Sequence, residues 1–193
     1  MQSRNTAILI FNDVEVLDFT GPYEVFNAAN AVSGQKLFNV FTIANKEELI
    51  TARNGLKVFP DYTINNSPSC DILIIPGGDG RRIEMNNSFL LSWIKDTFQN
   101  LEYLLSVCTG SFIIANTGLL NGLKATTHHS AFDEFKKSFP EIEPVINKKF
   151  VDNGKIVTAA GVSSGINMSL HIINKLFGEE LKLKTADYIE FDS

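Results

Sequence analysis

Cys108 stands in SVCTGSF, between a run of buried type (Leu104, Leu105, Val107) and an apolar segment of helical length around Phe112, Ile113 and Ala115. A thiol at a strand-to-helix joint can serve as a nucleophile. If a helix opens at Thr109, its unpaired N–H groups and dipole favour the thiolate. A sharp elbow would also lift the side chain out of the sheet. A small, inert, buried cysteine fits the same position, and both readings stand at this point. Cys70, beside a turn and a strand start, reads as structural.

Other groups follow the same kind of joint. DILII runs into Pro76, Gly77 and Gly78, and a glycine pair can turn consecutive N–H groups toward a developing negative charge, or simply make a tight loop. Asp18 lies between Leu17 and Phe19, where partial desolvation would raise its pKa and let it hand over a proton; a lone aspartate before Thr20, Gly21 and Pro22 is more often a helix cap. Glu24 would then fall in the first or second helical turn and serve the dipole. His128 in ATTHH can reach the same crevice or be simply a packed or surface residue, while His171 lies within a helical pattern and reads as structural. Arg81 and Arg82 read either as anion-steering groups or as solvated surface. Phe19, Tyr23 and the GDGRR loop read as walls of a small apolar pocket or as part of a dimer interface.

The elements that must position these groups alternate. TAILIF (6–11), LFNVFTI, DILIIPGG (71–78), EYLLSV and GKIVTAA have the continuous apolar pattern of strands covered on both faces. Helical stretches lie between them. In NSFLLSWIKDTF, Leu90, Ile94 and Phe98 recur every fourth residue and Ser88 can cap the start. In SSGINMSLHIINKLFG, Ile166, Leu170 and Ile173 share a face and Gly178 is placed as the stop. This alternation predicts a three-layer α/β sandwich of flavodoxin-like type, a mainly parallel sheet between helices, with functional groups at the carboxyl ends of the strands. VDNGK, with its Asn-Gly turn, predicts one antiparallel hairpin at an edge.

The 193 residues suit a single domain spanning 1–193. A composition of 44% hydrophobic and 20% charged residues excludes disordered and fibrous classes. A net charge of −5 without a basic cluster argues against a nucleic-acid partner. The apolar run near the start is too short for a signal peptide or a membrane span, which predicts a cytoplasmic protein without membrane association. The two cysteines show no zinc spacing, no histidine–carboxylate trio has metal-site spacing, and neither a metal nor another cofactor is expected.

Taken in order, VEVLDFTGPYEVF, DILIIPGGDG, SVCTGSFIIANTGLLNGLKATTHH and TAAGVSSGIN resemble the ThiJ/PfpI superfamily, of class I glutamine-amidotransferase-like fold, from about residue 6 to about residue 178. LDFTGP, SVCTGS and ATTH look most like its isonitrile hydratase branch and the ligand-binding domains of AraC-type regulators. The resemblance implies that Cys108 is the elbow nucleophile, Asp18 the acid bonded to its sulfur, and Thr109 an active-site residue. It also implies that Gly78 and the Thr109 N–H are oxyanion-type donors and that His128 lies close to the cysteine. Three positions depart from the pattern: His129 stands where the hydratases have tryptophan, Asn167 where many relatives have aspartate, and Thr109 where the protease-like branch has histidine. The regulators carry a DNA-binding domain after this module, whereas this chain ends at Ser193, which disfavours that role. A homodimer is the superfamily's default.

The expected function is hydration of a small-molecule isonitrile to an N-substituted formamide through Cys108. The alternatives are a cofactor-free glyoxalase or deglycase-like enzyme and a sensor in which Cys108 is oxidised to a sulfinic acid.

Overall fold

The computed structural model describes residues 3–192. Strand β1 (Arg4–Leu9) is followed by α1 (Val16–Ser33), β2 (Phe38–Ala44), the antiparallel pair β3 (Ile50–Thr51) and β4 (Lys57–Val58), then β5 (Tyr62–Thr63) and β6 (Ile72–Ile75). Helices α2 (Arg81–Glu84) and α3 (Ser88–Phe98) lead to β7 (Tyr103–Ser106), α4 (Gly110–Asn116) and β8 (Lys124–Ala125). Next come α5 (Phe132–Ser138), β9 (Glu143–Pro144), β10 (Phe150–Asp152), β11 (Ile156–Ala159), α6 (Ser164–Phe177) and α7 (Glu179–Tyr188).

Seven strands form one sheet in the order β10-β11-β7-β6-β1-β2-β5. Every pairing is parallel except β10 with β11, the hairpin that the Asn-Gly turn predicts. All four residues of β6 are buried, as a strand covered on both faces requires. Helices α1, α6 and α7 pack together as one layer, while α4 packs on β6 and β7 with α2 and α3 beside it. Ile8, Leu73, Leu105 and Val157 carry the core through the central strands.

Several local expectations shift. Helix α1 opens at Val16, not at Thr20 or Gly21, because the chain before it is held extended: Val14 bridges Gly78, and the Glu15 N–H donates to Gly77 O at 3.0 Å. Asp18 therefore lies in the first turn, Pro22 lies inside the helix, and Glu24 is exposed in the third turn, beyond the reach of the amino-end dipole. Asn87 rather than Ser88 caps α3, its side chain accepting from the Leu90 N–H. Gly178 ends α6 as expected, but α7 follows at once.

Candidate functional site

The loops after β1, β6, β7 and β11, four neighbouring strands, meet at the carboxyl edge of the sheet. Cys108 follows β7 with φ of 57°, a left-handed conformation that non-glycine residues rarely hold and that marks a strained elbow. Its N–H donates to the carbonyls of Ala159 and Ala160, at 3.2 and 2.8 Å, and its carbonyl accepts from the hydroxyls of Ser111 and Thr127. The elbow is thus over-determined by β11 and its loop. Gly110 completes it, since a side chain there would run into the Ile75 carbonyl.

Asp18 reaches the elbow from α1 and is fully buried. Its Oδ2 accepts the Gly77 N–H at 2.9 Å. Its Oδ1 is buried with no well-aligned partner, and the Cys108 thiol is close enough to hydrogen-bond the carboxyl. Burial pushes the Asp18 pKa from 3.8 up to about 7, with the Gly77 N–H opposing and the nearby Glu15 charge assisting. The desolvation that the sequence suggests for Asp18 is thus present, and it brings the carboxyl group's pKa close to neutrality.

The sulfur departs from expectation. Burial first, and the Asp18 charge second, push its pKa up from 9.0 to about 12, against the Thr109 N–H, the Val162 N–H and the Thr109 side chain, which favour the thiolate. A helix amino end does point at the sulfur, but only 7% of Cys108 is exposed, so desolvation wins and the resting group is a thiol. Passing its proton to Asp18 removes the carboxylate charge that helps raise it. The two ionisations are therefore coupled.

Thr109 is oriented by a one-way bond. The Gly78 N–H can only donate, and it gives to Thr109 Oγ1 at 3.2 Å, so the hydroxyl's own hydrogen is free for the sulfur. The same bonds correct the reading of the glycine pair: the Gly77 N–H is committed to Asp18 and the Gly78 N–H to Thr109, so neither faces the cleft as an oxyanion donor. The N–H groups that do reach the sulfur are those of Thr109 and Val162, and Val162 went unnoticed in the sequence because nothing in its type marks it.

His128 lines the cleft with Cys108 and Thr109. Its Nδ1 accepts from the Ser130 N–H at 3.3 Å, which puts the neutral ring's hydrogen on Nε2, and burial followed by neighbouring His129 lowers its pKa. The His129 ring lies 4.2 Å from that of His128, centroid to centroid. Asn167 lines a separate small cavity with His171, away from the sulfur.

The cleft measures about 330 Å³, and its walls are charged, not apolar. Phe19 is buried and Tyr23 exposed, and neither lines it. Arg81, read as either steering or solvated, is in fact 4% exposed: its guanidinium stacks 3.8 Å above the Phe112 ring and bonds Glu134 at 2.6 Å. Arg82 pairs with the same carboxylate. Across the cleft Arg53, from the turn between β3 and β4, pairs with Glu15 at 3.0 Å. Among the described residues no group of three metal-ligating side chains occurs and no helix is long and apolar enough to cross a membrane.

The DJ-1/PfpI family matches residues 4–175. The chain belongs to the DJ-1/PfpI family. Within the family, it is 30% identical to an isonitrile hydratase of Pseudomonas putida, over 97% of this chain and 81% of that protein. It is 24% identical to the HTH-type transcriptional regulator GbdR of Pseudomonas aeruginosa, over 99% of this chain but 52% of the regulator, so it spans about half the regulator's length. A crystal structure of a ThiJ/PfpI family protein from Pseudomonas syringae superposes with a TM-score of 0.88 at 27% identity, covering 100% of this chain and 77% of that one. Drosophila melanogaster DJ-1beta shares the fold at a TM-score of 0.86 and 18% identity, with full coverage of both chains.

Proposed function

We propose that this DJ-1/PfpI protein hydrates an isonitrile to an N-substituted formamide, with Cys108 as nucleophile and Asp18 as acid. The observation that carries the reading is a carboxyl group lifted to about 7 beside a sulfur on a strained elbow. The likeness to the Pseudomonas putida hydratase supports the same choice.

The sulfur bonds to the terminal carbon of R–N≡C while the pair's proton passes through Asp18 to that carbon, giving the thioimidate R–N=CH–S. Water held at the Thr109 hydroxyl adds to the carbon, the C–S bond breaks, the thiolate leaves, and the nitrogen takes a proton. The sum is R–N≡C plus water giving R–NH–CHO, with no redox step. The Thr109 and Val162 N–H groups stabilise the sulfur when it carries charge, first as attacking and then as leaving thiolate.

Those same donors favour a second reading, in which they hold the oxygens of a cysteine sulfinate in a peroxide sensor. Purified protein is to be assayed against isonitriles and 2-oxoaldehydes, with Cys108→Ala as control, and by mass spectrometry after mild peroxide. Isonitrile turnover that vanishes in Cys108→Ala supports the hydratase. Addition of two oxygens to Cys108 without isonitrile turnover rejects it in favour of the sensor, and turnover of oxoaldehydes alone rejects both.

A further inference from the structure

The sulfur's cleft adjoins a larger cavity of about 570 Å³, and His128 and Val162 line both. The two spaces differ in charge. In the smaller one each arginine faces a carboxylate: Arg81 and Arg82 share Glu134, and Arg53 holds Glu15. No Asp or Glu lines the larger one, although the chain carries 22 acidic residues against 17 basic. Lys148 and Lys149 stand in its lining, and among the described residues neither is in an ion pair.

Two further observations point to an occupant. Phe132 and Ile146 give the cavity apolar wall, and Ile146 is 62% exposed with nothing to cover it in the folded chain. Thr126 also lines the cavity and is fully buried. Its N–H is satisfied by Thr158 Oγ1, but its own hydroxyl has no hydrogen-bond partner, an arrangement that buried polar groups rarely keep.

We propose that this cavity seats the substrate's substituent, and that the substituent is an apolar, ring-sized body ending in a carboxylate. The identity of the reacting end rests on the hydratase reading; the choice of substituent rests on the cavity. With the isonitrile carbon at Cys108, the body passes between His128 and Val162, and the carboxylate meets Lys148 and Lys149. The arginines of the smaller cleft are engaged with carboxylates, so the lysine pair is where a substrate anion finds uncommitted positive charge.

Binding of 4-formamidobenzoate and of formanilide, which lacks the carboxylate, is to be measured calorimetrically for the unmodified protein and for Lys148→Gln/Lys149→Gln. Turnover of 4-isocyanobenzoate and phenyl isocyanide runs in parallel. The carboxylated ligand should bind about fivefold more tightly, the effect of about 1 kcal/mol of partly exposed charge pairing, and that ratio should fall to about one in the double variant. The isonitriles should show the same ratio in KM. Equal binding of the two formamides, or a preference that survives in the double variant, overturns the proposal. So does a sedimentation result in which the double variant breaks up a dimer of the unmodified protein, which would make this face an interface between copies. If no isonitrile is turned over while the carboxylate preference and its loss are both seen, the hydratase reading fails and the anion-binding cavity stands.

Discussion

Asp18 and Cys108 lie side by side but draw on separate backbone donors. The Gly77 N–H fixes Asp18 Oδ2 at 2.9 Å, and Oδ1 is left buried without a hydrogen-bond partner, with the Cys108 thiol beside the carboxyl group. The N–H groups of Thr109 and Val162 meanwhile approach the sulfur, where they stabilise the charge that appears once the proton has moved. In the proposed reaction the carboxyl group stores the proton and the elbow takes up the charge. A helix dipole alone would not produce this division, because burial outweighs it at the sulfur.

The buried carboxyl should make the fold less stable as pH rises. Asp18 titrates near 7 in the folded chain and at 3.8 when unfolded, so between those values the folded chain holds a proton that the unfolded chain has released. Raising pH from about 4 to about 7 therefore favours unfolding, and above about 7 the penalty is in full force, at most ~4 kcal/mol. Asp18→Asn should remove it while an amide oxygen still accepts from Gly77. Urea unfolding at pH 5 and pH 8 tests this: the unmodified protein should lose stability at the higher pH, and the variant should lose much less. Equal losses in both would mean that Asp18 is ionised throughout.

Strain at the elbow should be measurable in the same way. With φ at 57°, Cys108 occupies a backbone region that glycine enters freely and other residues enter at a cost of about 1–3 kcal/mol. Cys108→Gly should therefore be about 1 kcal/mol more stable than Cys108→Ala, even though glycine loosens the unfolded chain. Both should lack turnover. Matching denaturation midpoints for the two variants would show that the elbow is unstrained.

Much of this architecture is legible in the sequence, and the failures have physical causes. The five central strands are readable because each is a largely apolar run with most of its residues buried, and the elbow because a strand pattern ends abruptly at Cys108. The start of α1 is misread because Pro22 normally marks a first turn, whereas the real start is dictated by pairing of Val14 and Glu15 with the glycine loop of β6. Helix α7 leaves no apolar stripe, burying only Thr185 and Ala186. The burial of Arg81 depends on Phe112 and Glu134, which only the folded chain brings to it. Likewise the dipole at Cys108 can be inferred from residue types, but the desolvation that overrides it cannot.

Thr109 should matter through its hydroxyl. The hydroxyl accepts from the Gly78 N–H and so turns its hydrogen toward the sulfur. Thr109→Val keeps the shape but removes both bonds, and turnover should fall about a hundredfold to a thousandfold, as for the loss of one donor to a developing charge. Thr109→Ser keeps the hydroxyl and should restore most of it. If serine and valine were equally impaired, the methyl group's packing and not the hydroxyl would be the important part.

Gly77 links the two halves of the site, and a single added carbon should uncouple them. A Cβ at this position would lie 2.6 Å from both Thr109 N and Thr109 Oγ1, and 3.0 Å from Asp18 Oδ2. The backbone nitrogen of the elbow cannot yield, so the glycine loop must move, taking with it the N–H that anchors the carboxylate. Gly77→Ala should therefore lower kcat by about a hundredfold, since a small misplacement of the acid suffices, with KM changed far less. It should also destabilise the fold by about 1–3 kcal/mol, the usual range for overpacking a buried contact. The acid limb of the pH–rate profile separates this from general damage: with Oδ2 freed from Gly77, the N–H that holds the carboxyl pKa down is lost, so the Asp18 pKa should rise further and the limb should move to higher pH. A variant that loses rate with that limb unmoved would show that Gly77 does not position the acid.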